Sequence, residues 1–204
     1  MACQPPPSLH TANAVAVLAA QTPPTAKKVA DTPVARLLEN AKKQTTQTRF
    51  YDPAYVSLAY PNGDVSLERG VCTDVVIRAL RASGVDLQKT VHEDMRRNFR
   101  AYPRKWGLKR PDSNIDHRRV PNLQTYFKRH GKSLPVTDRA ADYRPGDIVS
   151  WKLPNGLDHI GVVSDALVPG QSRNAIIHNI GRGTEEEDVL FAWKITGHYR
   201  YFDR

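Results

Sequence analysis

Helical periodicity fills the first two thirds of this sequence, and strand periodicity fills the last third. Val34, Leu37 and Ala41 fall on one face of a helix, and further helical patterns follow until about residue 130. From Asp147 onward, short apolar runs separated by turn residues replace that pattern. Helices that precede an antiparallel sheet are typical of an α+β fold, whereas a doubly wound sheet requires strands and helices to alternate. The sequence therefore predicts the α+β class.

A cysteine stands at the predicted start of the most apolar of these helices. Cys72 follows Gly70-Val71, and the helix is predicted to end at Ser83-Gly84, a typical C-terminal cap. The N-terminus of a helix carries unpaired N–H groups and the positive end of the helix dipole, which stabilise a thiolate. We therefore expect Cys72 to be a nucleophile in its thiolate form.

Two histidines lie on predicted strands downstream of this cysteine. His159 opens the strand over residues 158–163, and His178 lies on the strand over residues 175–180. A cysteine followed by a base and a polar residue that orients the base is the set of groups that a thiol hydrolase needs. Asn179 is an alternative to His178 as the orienting residue. Because neighbouring residues of a strand point to opposite faces, only one of the two can face His159.

The strand motifs resemble a known family. Gly-Asp-Ile-Val at 146–149 and His-Ile-Gly-Val-Val at 159–163 resemble the strand pair of NlpC-like cell-wall peptidases, papain-fold enzymes that act on bacterial peptidoglycan. Arg-Gly-Val-Cys-Thr-Asp at 69–74 and Ile-Asp-His-Arg-Arg-Val at 115–120 resemble a narrower group of uncharacterised bacterial proteins. The resemblance covers roughly residues 58–200. It implies a papain-like, NlpC-type fold in which N-terminal helices, one starting at the nucleophile, pack on an antiparallel sheet.

The resemblance also implies a reaction and a set of residues. It implies a cysteine hydrolase that cleaves amide bonds of peptidoglycan, as an amidase or a stem-peptide endopeptidase, without a metal or cofactor. Cys72, His159 and His178 match the catalytic positions. Tyr60, twelve positions before the cysteine, matches a tyrosine on the oxyanion side, and Asp74 is a further candidate close to the nucleophile.

Two other functions remain open at this stage. A zinc-dependent hydrolase could use Cys72, His159 and His178 as ligands, with His117 or Asp116 as a further one, although the sequence has no close ligand pair such as His-x-x-x-His. A non-catalytic module that binds the cell wall or nucleic acid could have the same fold.

A basic segment between the third and fourth predicted helices is a candidate substrate-binding loop. It spans residues 104–119 and ends in Asp116, His117, Arg118 and Arg119. The chain has 30 Lys and Arg residues against 21 Asp and Glu, a net charge of +9, which suits an anionic partner. We expect this partner to be peptidoglycan or its peptide fragments, with no nucleic acid.

The first 30 residues are rich in Pro, Ala and Thr and are predicted to be a disordered tether. Cys3 is a candidate site for a lipid that would attach the protein to a membrane, as in a bacterial lipoprotein. We expect residues 31–204 to form one hydrolase domain, and the protein to be a periplasmic or secreted monomer. Residues 14–20, an apolar run, are too short to span a bilayer.

Overall fold

The computed structural model describes residues 31–203. The predicted tether over residues 1–30 and the candidate lipid site at Cys3 lie outside the described residues. The helices are α1 (Pro33–Gln47), α2 (Cys72–Ala82), α3 (Leu87–Asn98) and α4 (Val120–Arg129). The strands are β1 (Phe50–Tyr51), β2 (Arg69–Gly70), β3 (Ser133–Leu134), β4 (Ile148–Lys152), β5 (Asp158–Leu167), β6 (Asn174–Asn179), β7 (Thr184–Glu187) and β8 (Lys194–Tyr199). Short 3₁₀ helices lie at Phe99–Ala101, Asp116–Arg118 and Ala140–Asp142.

The C-terminal strands form one antiparallel sheet. Its order is β3-β8-β4-β5-β6-β7, which places β5 and β6 side by side near the middle. The two short strands β1 and β2 pair in parallel and form a separate ribbon that ends directly before α2. Through this ribbon, residues 50–51 lie next to the segment that leads into Cys72.

Helix α2 is the central helix of the fold. All of its residues from Cys72 to Leu80 are buried, and it packs against α1 on one side and against β5 and β6 on the other. A helix that is buried on every face belongs to the interior of a domain. Its first turn is capped by its own third residue, since the Val71 N–H donates to Oδ2 of Asp74 at 2.7 Å.

The core lies on both faces of the sheet, as strand alternation requires. Val162 and Ile177 pack with the helices, whereas their neighbours Val163 and Ile176 pack in a second cluster on the opposite face. Trp151 is the largest side chain of that second cluster and is fully buried. Because both faces are covered, the strands that carry His159 and His178 are held in fixed positions.

The predicted α+β class is confirmed, with the helix that starts at Cys72 packed on an antiparallel sheet. The sequence patterns did not predict strand β7, nor the 3₁₀ turn at Asp116–Arg118 within the segment expected to be an irregular loop. In the part of the chain that the structure describes, no helix is both long and apolar enough to cross a lipid bilayer.

Candidate active site

Cys72 is a free, buried thiol at the start of α2. Sγ interacts with the backbone N–H groups of Ile160, Thr73 and Cys72 itself, each of which lowers the pKa of the thiol. Burial is the larger effect, and it raises the pKa of Cys72 to about 12. Burial therefore opposes the expected thiolate, because it destabilises the charged form more than the backbone N–H groups stabilise it.

His159 and His178 face each other across β5 and β6. Nε2 of His159 lies 2.9 Å from Nδ1 of His178, a hydrogen-bond distance, and both rings are buried. The ring of Trp193 packs edge-on against both, at centroid distances of 5.6 Å and 6.0 Å. Burial, with a contribution from His178, lowers the pKa of His159 to about 3, and burial also lowers the pKa of His178. At neutral pH the thiol and His159 are thus both uncharged.

The thiol lies beside the first residues of β5. The Ile160 N–H that interacts with Sγ belongs to the residue directly after His159. Nε2 of His159 faces His178, so Nδ1 is the ring nitrogen that is free of that contact. Neither histidine is among the residues that line the cleft beside Cys72. The three residues predicted to be catalytic therefore come from one helix start and two adjacent strands.

Gly161, the glycine of the His-Ile-Gly motif, lies where β5 and β6 approach each other closely. A Cβ at this position would lie 2.9 Å from Cγ2 of Ile176 and 3.0 Å from Cβ of His178, closer than ordinary van der Waals contact. A larger residue would push β6 away from β5. The glycine therefore permits the short distance between the two histidines.

Asn179, the alternative orienting residue, points elsewhere. Its Nδ2 donates to the Gly70 carbonyl at 3.1 Å, and its side chain is fully buried. The opposite directions of His178 and Asn179 follow from strand alternation. Asn179 thus ties β6 to the backbone just before the Cys72 turn, while His178 contacts His159.

Asp74 and Arg118 form a buried ion pair behind the nucleophile. Oδ1 and Oδ2 of Asp74 accept hydrogen bonds from Nε and Nη2 of Arg118, both at 2.9 Å. Arg118 also donates to the Ala54 carbonyl at 3.1 Å. Asp74 and Arg118 therefore hold the loop over residues 116–118 against the first turn of α2.

A cleft of about 340 Å³ opens over Cys72. The basic segment forms one of its walls, and the loop between β4 and β5 forms another. Its lining residues are Tyr51, Pro53, Val71, Cys72, Lys105, Trp106, Ile115, Arg118, Arg119, Val120, Pro121, Gly156, Leu157 and Asp158.

Only part of the candidate substrate-binding loop reaches this cleft. Arg118 and Arg119 line it, but the guanidinium of Arg118 is bound to Asp74. Arg119 lies over the ring of Trp106 at 4.1 Å from the centroid, and its Nη1 is 3.3 Å from Asp116. Such stacking orients a guanidinium and leaves its other N–H groups available.

Asp116 and His117 are buried and do not line the cleft. The 3₁₀ turn that contains them directs both side chains into the protein. Burial raises the pKa of Asp116 to about 6 and lowers the pKa of His117 to about 4. As residues that would touch a substrate, these two predictions are therefore wrong for this structure.

Tyr60 also lies away from the cleft. Its ring packs edge-on against His92 at a centroid distance of 5.3 Å, and the residue is about 45% exposed. Tyr51 is the tyrosine that lines the cleft, and burial together with the nearby Cys72 raises the pKa of its hydroxyl. The sequence patterns did not identify Tyr51 as a residue of the cleft.

A family model for a domain of unknown function, DUF1287, matches residues 38–201. The chain belongs to this family. A relative named "Uncharacterized protein YijF", from Escherichia coli (strain K12), is 60% identical over 180 residues, which cover 88% of this chain and 87% of that protein. The structure of NlpC1 from Trichomonas vaginalis is similar over 85% of this chain, at 13% identity and a TM-score of 0.45. The chain spans only 46% of that protein's length.

One further residue of this DUF1287 member contacts the histidine pair. Nε2 of His178 lies 3.1 Å from Oε2 of Glu187 on β7. The sequence patterns missed it because β7 itself was not predicted. Among residues 31–203, no group of three or more His, Cys, Asp and Glu side chains is arranged to hold a metal ion.

Proposed function

We propose that this protein is a cysteine hydrolase that cleaves amide bonds in the peptides of bacterial peptidoglycan through an acyl-enzyme on Cys72. The observation that carries the proposal is the position of Cys72 in the cleft, next to the strand that carries His159. Cys72 opens into the cleft from the start of α2, beside the strand on which His159 is hydrogen-bonded to His178. A nucleophile, a base and a group that orients the base are the parts of a hydrolytic triad.

Proton transfer in this reaction accompanies the attack. Because the thiol and His159 are both neutral at rest, Nδ1 of His159 accepts the Sγ proton as Sγ bonds to the carbonyl carbon. The imidazolium then protonates the leaving amine, and a water molecule, deprotonated by His159, hydrolyses the thioester. Backbone N–H groups at the start of α2, together with the Tyr51 hydroxyl at the cleft, are the candidate donors to the oxyanion.

The cleft supports an acidic peptide as the substrate. Lys105 and Arg119 line it beside the nucleophile, and both can bind a carboxylate. Peptidoglycan stem peptides carry free carboxylates, and the strand motifs resemble those of peptidases that act on them. This substrate lies outside the cytoplasmic membrane, so the proposal includes export, for which a lipid on Cys3 would supply an anchor.

Digestion of purified muropeptides, followed by mass spectrometry, tests the proposal and identifies the bond. The wild-type protein should release defined peptide or amino-sugar fragments, and Cys72→Ala should fold normally and release none. A chelator added to a parallel digestion separates this mechanism from the zinc-dependent alternative, because it should leave the rate unchanged. Turnover by Cys72→Ala near the wild-type level would reject the proposal.

Substitution of His178 and Asn179, which are neighbours on β6, tests which of the two orients His159. We expect His178→Ala to lose most of the turnover and to add little loss in combination with His159→Ala, since residues that act as one unit are not additive. Asn179→Ala removes a contact with the backbone at Gly70 and should affect stability more than the histidine pair. A silent His178→Ala together with an inactive Asn179→Ala would reverse the assignment.

A further inference from the structure

The histidine pair continues into a carboxylate at the edge of the sheet. Nε2 of His159 faces Nδ1 of His178 at 2.9 Å, and Nε2 of His178 faces Oε2 of Glu187 at 3.1 Å. Oε1 of Glu187 accepts a further hydrogen bond from Nη2 of Arg182 at 3.3 Å. The three side chains thus form a continuous line of contacts from β5 to the outer edge of the sheet.

Strand pairing places Glu187 on the same face as His178. In the antiparallel pair, His178 lies opposite Glu185 and Ile176 lies opposite Glu187. Residues 185 and 187 share one face of β7, and the Glu187 side chain reaches diagonally to the imidazole. Glu185 instead binds Arg182 at 2.9 Å, which makes it a natural control.

We propose that Glu187 is a positioning residue that fixes which ring nitrogens of His159 and His178 carry protons. The inference rests on the proposed function and adds a fourth residue to the triad. Glu187 itself neither touches the substrate nor takes the proton of Cys72. Its role is to keep Nδ1 of His159 unprotonated and available to that proton.

The hydrogen bonds determine the position of each proton in turn, from Glu187 inward. A carboxylate only accepts, so Nε2 of a neutral His178 must carry the proton that it donates to Glu187. Nδ1 of His178 is then an acceptor, and Nε2 of His159 must carry the proton between the rings. The one remaining ring nitrogen, Nδ1 of His159, holds a free electron pair. Without Glu187 the opposite arrangement is also possible, and in it Nδ1 of His159 is protonated and cannot act as a base.

The charged groups near the pair favour the same arrangement. Glu187 and Glu185 both raise the pKa of His178, while burial lowers it, and Arg182 neutralises part of the charge of the two carboxylates from outside. When His159 accepts the proton of Cys72, the carboxylate of Glu187 also stabilises the resulting positive charge through His178.

Nitrogen NMR of the two imidazoles tests the inference without any substrate. In Cys72→Ala labelled with ¹⁵N-histidine, we expect His178 to be protonated at Nε2 alone. Addition of Glu187→Ala should produce a mixture of the two tautomers, whereas addition of Glu185→Ala should not. An unchanged His178 tautomer in folded Glu187→Ala would overturn the proposal.

Kinetics on a substrate that the wild-type protein cleaves give a second test. Glu187→Gln should lower kcat roughly 10- to 100-fold, the size of effect seen when an outer group that orients a histidine is removed. KM should change by less than about twofold, and the acidic limb of the kcat profile should move to lower pH because a negative charge is lost. Glu185→Gln should leave kcat within about twofold.

The two tests separate this inference from the proposed function. If the wild-type protein hydrolyses no muropeptide, the proposed function fails, but the NMR comparison still decides whether Glu187 sets the tautomer. If the wild-type protein is active and Glu187→Gln has wild-type kcat and pH dependence, the positioning role is rejected and the hydrolase remains.

Discussion

Arg118 binds Asp74 through two parallel hydrogen bonds, Nε to Oδ1 and Nη2 to Oδ2, each 2.9 Å long. Both side chains are almost completely buried. The same carboxylate accepts the Val71 N–H, so one aspartate joins the cap of α2 to the loop over residues 116–118. The position of Cys72 therefore depends on a contact between residues that are 44 positions apart.

We expect Arg118→Ala to be strongly destabilising. The substitution leaves the Asp74 carboxylate buried without its main partner, and removal of one member of a buried pair costs about 3–5 kcal/mol. Urea denaturation at pH 7 measures the loss. Lys105→Ala, an exposed change on the same cleft, should stay within about 0.5 kcal/mol of the wild type. A loss below about 1 kcal/mol for Arg118→Ala would show that the pair contributes little.

Arg119 is the better candidate for a substrate contact in this loop. Because its guanidinium is stacked on Trp106 and has one carboxylate contact at 3.3 Å, a substrate carboxylate can still bind it. Arg119→Ala should raise KM about tenfold for an acidic peptide, the size of one hydrogen bond to a charged group, and should leave kcat nearly unchanged.

Salt dependence provides the control for this prediction. The wild-type KM should rise with ionic strength, and the Arg119→Ala KM should rise much less, since screening acts on the charge that is lost. Arg139→Ala removes an equal charge from an exposed site outside the cleft and should behave like the wild type. If KM depends equally on salt in all three proteins, Arg119 has a structural role and does not bind the substrate.

The elements that carry the histidines could be predicted from the sequence, because strands β5 and β6 are long and apolar and α2 has a clear start and end. Contacts between segments that are distant in the sequence could not be predicted in this way. Tyr51 reaches the cleft only through the pairing of β1 with β2, and no spacing rule relates it to Cys72. Strand β7 has the sequence Thr-Glu-Glu-Glu, which shows no apolar alternation. It is a strand because it pairs with β6, so Glu187 could not be predicted either.

Gly161→Ala should reduce catalysis by separating the two histidines. The added methyl group collides with Ile176 and His178, so β6 must shift by a few tenths of an ångström or more. We expect a loss of stability of about 1–3 kcal/mol, as in other overpacked cores, together with a fall in kcat at saturating substrate. Val162→Ala, on the other face of the same strand, is the control for stability alone. If Gly161→Ala and Val162→Ala have similar kcat values, the short distance between the two histidines does not matter for catalysis.

The raised pKa of Cys72 predicts how the thiol reacts with iodoacetamide. Only the thiolate is alkylated, and with a pKa of about 12 its fraction at pH 7 is on the order of 10⁻⁵. In a Cys3→Ser background, which leaves Cys72 as the single cysteine, the rate should rise about tenfold per pH unit up to pH 10 without a plateau. Denaturation in urea should restore an ordinary profile that levels off above pH 9.

His159→Ala distinguishes a neutral thiol from an ion pair with the histidine. If both groups are neutral at rest, this variant keeps the steep alkylation profile of the Cys3→Ser protein. An ion pair would instead give rapid alkylation at pH 6 to 7 that disappears in His159→Ala, and this result would contradict the neutral site.

The raised pKa of Cys72 also makes the stability of the protein depend on pH. Because the folded pKa lies above the ordinary value of 9.0, stability from this group is complete below pH 9. This contribution declines as the pH rises toward 12, since the thiol of the unfolded chain ionises first. Urea denaturation at pH 8 and pH 10 should show the decline in the Cys3→Ser protein. The decline should be smaller in Cys72→Ala.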